Sequence, residues 1–264
     1  MKKFLSLLFI LSVICIFGIV CKNDPVSSTP QDPDTPHDPD PPSELTVPDK
    51  DGNVYHTVKI GNQIWTTENL RTTKYNNGSL ISNISDTLEW STTRSGAYCS
   101  YKNQTDTDSI KTFGLLYNWY AVSTGRLAPE GWHVPTIYEW DTLFNYLKNN
   151  GYNWNDDTIK YKCAKAVSSN SHWKLSTIPG AIGNDLSTNN RSGFSAQPAG
   201  LRYTSGDFGS GVFGNRGLYT HFWSSSTAPA SYIHSIFLSF ERDSISFHNQ
   251  ARNRGFSVRI VKND

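Results

Sequence analysis

The sequence predicts an α+β domain with a small antiparallel sheet, one or two helices and long polar loops. Three observations carry this. Helical periodicity is clear in only one place, just after Thr136. Segments with period-two alternation sit near both ends of the region beyond residue 47. The composition of that region favours Trp, Tyr, Ser, Asn and Gly, and the chain's one Met is its first residue, a poor composition for a helical bundle.

The chain opens differently. Lys2 and Lys3 precede an uncharged apolar run over 4–20, and Cys21 begins a polar stretch. A basic head, an apolar run and an abrupt polar switch read as a secretory signal over 1–21. Cys21 stands where a lipoprotein signal is cut and the new terminal cysteine takes lipid. Gly18, Ile19 and Val20 before it form a loose lipobox. Plain cleavage nearby and an uncleaved membrane anchor are the alternatives. Residues 22–46 follow as a Pro- and Asp-rich tether, with the stretch 29–43 lacking any large apolar side chain. Such a segment cannot bury a core and favours extended polyproline II, so some twenty residues reach about 60 Å.

Residues 47–264 are long enough for one domain with a proper core. Its predicted elements run in order from strands at 54–60 and 63–67 to further strands at 232–240, 244–247 and 256–261. Between them, Thr136 and Glu139 form a capping box ahead of Trp140, Leu143, Phe144 and Leu147, which recur at i, i+3, i+4 and i+7. Asn150 and Gly151 end that helix. A second helix is expected at 159–167. Removing Lys2 and Lys3 takes the formal charge from +1 to −1, which leaves no electrostatic footprint for nucleic acid. Cys99 and Cys163 are the cysteines of this region, so one disulfide between them is permitted by export but not established by spacing.

Six segments, in order, resemble the Fibrobacter succinogenes major paralogous domain family. They are the opening hairpin at 51–70, Gly114-Leu-Leu-Tyr-Asn-Trp-Tyr-Ala-Val122, Pro129-Glu-Gly-Trp-His-Val-Pro-Thr-Ile-Tyr-Glu-Trp140, Gly193-Phe-Ser-Ala-Gln-Pro-Ala-Gly-Leu-Arg202, Phe222-Trp-Ser-Ser-Ser226 and Arg254-Gly-Phe-Ser-Val-Arg259. The third is also similar to an element of formylglycine-generating-enzyme-like domains. The resemblance implies a C-type-lectin-like single domain with paired N- and C-terminal strands and a long looped insertion after the helix. Relatives often carry cysteines where this chain has Ala128 and Ile260, which implies a lost disulfide replaced by apolar packing.

No catalytic constellation is legible. His-Glu-x-x-His, paired-cysteine zinc spacing, a Gly-rich phosphate loop and Gly-x-Ser-x-Gly are all missing from the sequence. Ser224-Ser-Ser226 reads as strand-end hydrogen bonding, and His133 as a structural hydrogen bonder. Formylglycine-generating relatives use late cysteines, and no cysteine follows Cys163 here. No cofactor is expected. Trp154-Asn-Asp-Asp157 and Asp106-Thr-Asp108 offer oxygen ligands of the kind calcium takes, but read more simply as solvated turns. Trp65, Trp119, Trp132, Trp140 and Trp223 are assigned to the core. Trp90, Trp154, Trp173 and Tyr203 lie in polar, loop-like contexts and are the candidate ligand-binding residues, since indole and phenol faces stack on sugar rings. The function expected is a non-catalytic binding or adhesion module for a glycan or a surface protein, on a lipid-anchored chain of the cell envelope, with the outer membrane or cell surface its expected place. The alternatives are a secreted enzyme assembled from distant residues and a structural part of an envelope assembly.

Overall fold

The hairpin predicted near residue 54 heads an antiparallel sheet into which the C-terminal segment is woven. A computed structural model describes residues 45–159, 161–204, 213–227 and 233–263 of the chain. These belong to one compact unit, Ser43–Asp264. The signal, Cys21 and nearly all of the tether expected from the sequence lie outside the described residues, although the tether's last residue, Thr46, already opens the first strand.

In chain order the elements are β1 (Thr46–Pro48), β2 (Val54–Ile60), β3 (Gln63–Thr66), β4 (Ser82–Asn83), α1 (Thr87–Thr92) and β5 (Ala97–Cys99). They continue with α2 (Thr107–Phe113), β6 (Leu116–Tyr117), α3 (Trp119–Val122), β7 (Trp132–His133), α4 (Ile137–Asn149) and α5 (Ala164–Val167). The last are β8 (Leu201–Arg202), β9 (Phe213–Gly214), β10 (Tyr219–Thr227), β11 (Ile233–Ser239), β12 (Ser246–Gln250) and β13 (Val261–Lys262). One sheet runs β1-β2-β3-β13-β7, a second β10-β11-β12, and two smaller ones β4-β5-β6 and β8-β9. Antiparallel pairing of Val261 with Trp65 joins the chain's end to the opening hairpin. No helix of the described residues is long and apolar enough to cross a membrane.

Helix α4 follows its sequence pattern closely. The Thr136 amide donates to the Glu139 carboxylate at 2.7 Å, while the Glu139 amide donates to the Thr136 hydroxyl at 3.3 Å. Trp140, Leu143, Phe144 and Leu147 are the buried positions, and Gly151 turns the chain at φ +73°. These four side chains enter an apolar cluster with Trp65, Trp173, Phe194 and Phe222. A second cluster gathers Tyr55, Tyr117, Trp119, Trp223, Phe256 and Ile260, and a third Ile84, Trp90, Cys99 and Leu116. Strand β2 serves two of them. Tyr55 and Ile60, five residues apart and so on opposite faces, belong to different clusters.

Several expectations are corrected. The helix predicted at 159–167 shrinks to α5, because Tyr161 takes a positive φ of 74° and the Tyr161 and Lys162 carbonyls accept from the Ile245 and Trp154 amides instead of from a helical turn. The strand predicted at 244–247 starts later, since Ile245 is buried in the first cluster and its amide donates to the Tyr161 carbonyl. The run 256–261 is ladder only at Val261. Upstream, its backbone bonds are shared among Tyr117, His221, Trp223, Leu70 and Thr66, so no single partner strand exists. β10 was missed. Its residues 220–224 are all buried, so both faces are covered and no alternation marks it. Cys99 and Cys163 are free and buried, one in the third cluster and one in the first, so the permitted disulfide is not formed. Burial pushes their thiols up to about 11 and about 12.

The second sheet carries an acid-sensitive core. His221 of β10 stacks on Phe256 at 4.5 Å and packs against Phe237 at 4.7 Å, with its Nδ1 3.1 Å from the Ser235 hydroxyl. Burial, then the nearby His248 and Arg254, hold its imidazole well below the ordinary value of 6.5. Burial and Arg242 lower His248 as well. The folded state thus refuses a proton that the unfolded chain accepts, so stability is full above 6.5 and falls as the pH drops below it. Urea midpoints measured from about pH 7.5 to about pH 5 should decline, and His221→Phe should flatten part of that slope, leaving the share of His248. An unchanged slope in the variant would refute the assignment.

Candidate functional site

Of the four candidate binding residues, the fold leaves one with a usable face. Trp154 is 40% exposed. It follows Asn153, whose buried side-chain amide donates to the carbonyls of Asp157 at 2.6 Å and Ile159 at 2.9 Å and so closes the loop behind the indole. The Trp154 amide donates to the Lys162 carbonyl at 3.0 Å. Asn155 and Asp156 take left-handed conformations, φ 53° and 54°, which Asn and Asp tolerate best among residues with side chains. Gly180, at φ +78°, lies under the indole so closely that a Cβ there would come within 2.5 Å of Cδ1 and Nε1. The ring is therefore held from behind by backbone, with little freedom left to lose on binding.

Beside Trp154 is a hollow of about 220 Å³ lined by Tyr152, Asn153, Asn155, Asp156, Thr188 and Arg191, with Lys165 and Ala166 at its base. The Arg191 guanidinium sits over the Tyr152 ring at 5.4 Å. Lys165 is buried and donates to the carbonyls of Asn184 and Asp185, which ties the loop after Trp173 to α5. Its burial lowers its basicity, with Asp185 acting against that shift. The hollow thus combines a flat apolar face with amide, carboxylate, hydroxyl and guanidinium groups around it.

The other three candidates do not converge on it. Trp90 is fully buried, a correction to the expected exposure. It sits in the short helix α1, capped by Asp86, and its ring lies against the guanidinium of the buried Arg202 at 4.4 Å. Arg202 also lies against Phe213 at 5.0 Å and donates to the carbonyls of Ile84, Ser85 and Asp86. Trp173 is likewise buried, at 4% exposure, in the first cluster, with its indole N–H donating to the Ala196 carbonyl. Tyr203 is half-buried. Its hydroxyl accepts from Asn215 at 2.6 Å, and its ring packs against the second cluster. Of the tryptophans assigned to the core, Trp65, Trp119, Trp140 and Trp223 are buried and Trp132 is half-buried.

His133, Ser224 and Ser226 make structural contacts. The ring nitrogens of His133 lie 2.6 Å from the Glu139 carboxylate and 2.7 Å from the Asn263 side-chain oxygen. Ser224 accepts from the Ser226 amide, and the Ser226 hydroxyl accepts from the Ile137 amide at the start of α4. Among the described residues, no three His, Cys, Asp or Glu side chains are grouped to hold a metal ion. The hollow's other walls went unseen in the sequence. Tyr152 precedes Trp154 by two residues, but Thr188 and Arg191 arrive from a loop more than thirty residues on, which local patterning does not reveal.

The order of motifs can now be set against known proteins. The family model described as the Fibrobacter succinogenes major domain matches residues 58–262, well over half of the chain. The chain belongs to that family. Neither the curated proteins nor the solved structures yield a match. In this Fibrobacter succinogenes major domain, Ala128 and Ile260 are both buried in the second apolar cluster. The residues of the six resembling segments fall mostly in the core and the sheets, whereas the Trp154 loop lies between two of those segments.

Proposed function

We propose that this chain is an exported, lipid-anchored protein of the cell envelope whose domain is a non-catalytic module binding a glycan through the hollow beside Trp154. The observation carrying the reading is the exposed indole braced on Gly180, next to Tyr152 and Arg191, with amide and carboxylate groups around it. A sugar's C–H face stacks on such a ring while its hydroxyls meet the polar wall. A C-type-lectin-like architecture is part of the proposal. The antiparallel union of β3 with β13, the single long helix α4 and the loops that follow it support this. The basic and apolar start ending at Cys21 supports export and lipidation, and the Pro- and Asp-rich stretch after it suits a spacer.

The test is a glycan array probed with the purified chain, in calcium and in chelator. Saturable binding is expected, and Trp154→Ala should weaken it at least about tenfold, near 1.4 kcal/mol, without changing the melting temperature. Loss of binding in chelator would add a metal. Absence of binding in both buffers would overturn the sugar reading and direct the search to a surface protein. In cells, Cys21→Ser should move the chain out of the membrane fraction, and continued fractionation with membranes would refute lipid anchoring.

A further inference from the structure

A second polar site lies against the opening hairpin and uses none of the residues around Trp154. Two hollows, about 540 and 350 Å³, share Val54, His56, Arg71 and Lys111 and so form one groove. β2 gives Val54 and His56, and α2 gives Lys111. Thr67, Thr107, Thr112, Ser195 and Gln197 add hydroxyl and amide groups along it.

The charges in this groove do not balance. Arg71 is held by neutral partners. Its Nε donates to the Asn53 side-chain oxygen at 3.1 Å and its Nη2 to the Val54 carbonyl at 3.0 Å. The guanidinium lies over the ring of the buried Tyr55 at 4.7 Å, and Nη1, itself buried, has no hydrogen-bond partner. Lys111 is exposed, and among the described residues neither cation has a carboxylate within ion-pair distance. The groove's own carboxylate, Glu68, is already engaged. It accepts from the His56 amide and the Thr67 hydroxyl and lies 2.6 Å from the His56 ring nitrogen. A fixed arginine and an exposed lysine in one walled groove, neither within ion-pair distance of a carboxylate among the described residues, make a positively charged arrangement that attracts an anion.

We propose that this groove binds the anionic group of an acidic saccharide, a uronate carboxylate or a sulfate ester. The hydroxyl and amide groups of Thr67, Thr107, Thr112, Ser195 and Gln197 along the groove suit the hydroxyls of a saccharide chain, while Val54 and Ile110 offer apolar surface to its ring faces. The inference stands on its own residues and does not require ligand binding at Trp154.

The experiment titrates the full chain with oligogalacturonate, with its carboxyl-reduced neutral counterpart, with a sulfated oligosaccharide and with oligoglutamate, at low and at moderate salt. The acidic saccharides should bind at least tenfold more tightly than the neutral one, with affinity falling as salt rises. Preference for the uronate or for the sulfated chain identifies the anionic group. Lys111→Glu and Arg71→Gln should each remove at least tenfold of the acidic affinity, whereas Trp154→Ala should leave the preference for acidic over neutral intact. Arg71→Gln is read alongside its melting temperature. Lys111→Glu alters only an exposed side chain, so it decides the matter if the arginine variant does not fold. Equal affinity for acidic and neutral saccharides, indifference to Lys111→Glu, or oligoglutamate binding as tightly as the saccharides would each overturn the proposal.

Discussion

Arg259→Ala is expected to destabilise the domain by about 4 kcal/mol, and to lower its melting temperature by roughly 10 °C. Arg259 is fully buried, yet the hydrogen bonds it makes go to neutral oxygens. Nε donates to the Asn69 side chain at 2.7 Å, Nη1 to the carbonyls of Thr66 and Phe194 at 2.7 Å each, and Nη2 to the Ser195 carbonyl at 2.8 Å. The rings of Phe194 and Phe222 pack around the guanidinium at 4.6 and 5.6 Å. One side chain thus ties the chain's end to β3 and to the loop at 194–195. Removing it leaves several buried acceptors unpaired, each costing about 1–3 kcal/mol, offset in part by no longer burying a charge. Arg259→Lys separates the two effects. A lysine restores the charge but not the fork, so it should recover less than half of the loss. Thermal and urea unfolding of both variants provide the check. A cost under about 1 kcal/mol for the alanine variant would show that water replaces the guanidinium, and the network argument would fail.

Helix α4 is legible in the sequence because its cap and its apolar stripe are both local. Thr136 and Glu139 lie three residues apart, and the four buried positions span two turns. The opening hairpin was legible for the same reason. The segment 256–261 was not, since its extended backbone is satisfied in turn by β6, by β10 and by β3 with the residues just after it, and its buried arginine looks polar in sequence. The short helices α1 and α2 escaped notice because two turns with little burial carry almost no periodicity. In α1 only Trp90 is buried, and one inward residue defines no stripe.

The binding residues were harder to read for a related reason. A tryptophan in polar sequence can be exposed, as Trp154 is, or can be the apolar face on which a buried arginine rests, as Trp90 is for Arg202. The partner that decides between these lies 112 positions away in the chain. The same holds for the groove at the hairpin. His56, Arg71, Lys111 and Ser195 come together only through the packing of α2 and the loop before β8 against β2, and nothing in their spacing announces it.

Trp140→Ala should cost about as much as the Arg259 change, near 4 kcal/mol, but by a different route. Its indole is the hub of the first cluster. It lies 4.7 Å from the Trp65 ring, 5.7 Å from Phe222, and 5.8 Å from both Phe144 and Phe194. Truncation opens a cavity among rings supplied by β3, α4, β10 and the loop at 194, which cannot all close on it at once. Trp140→Phe should cost far less, about 1–2 kcal/mol, because the indole N–H makes no hydrogen bond and its loss leaves no orphaned partner. Tyr138, two residues earlier on the same helix and 79% exposed, gives the control, and Tyr138→Ala should stay within about 0.5 kcal/mol of the parent. The cluster also includes Ala166 and packs against Tyr152, two residues that line the hollow beside Trp154. Hydrogen exchange over 152–167 should therefore quicken in Trp140→Ala and not in Tyr138→Ala. Unchanged exchange there would mean that the hollow is supported by its own loop bonds through Asn153 and Lys165 rather than by the core beneath it.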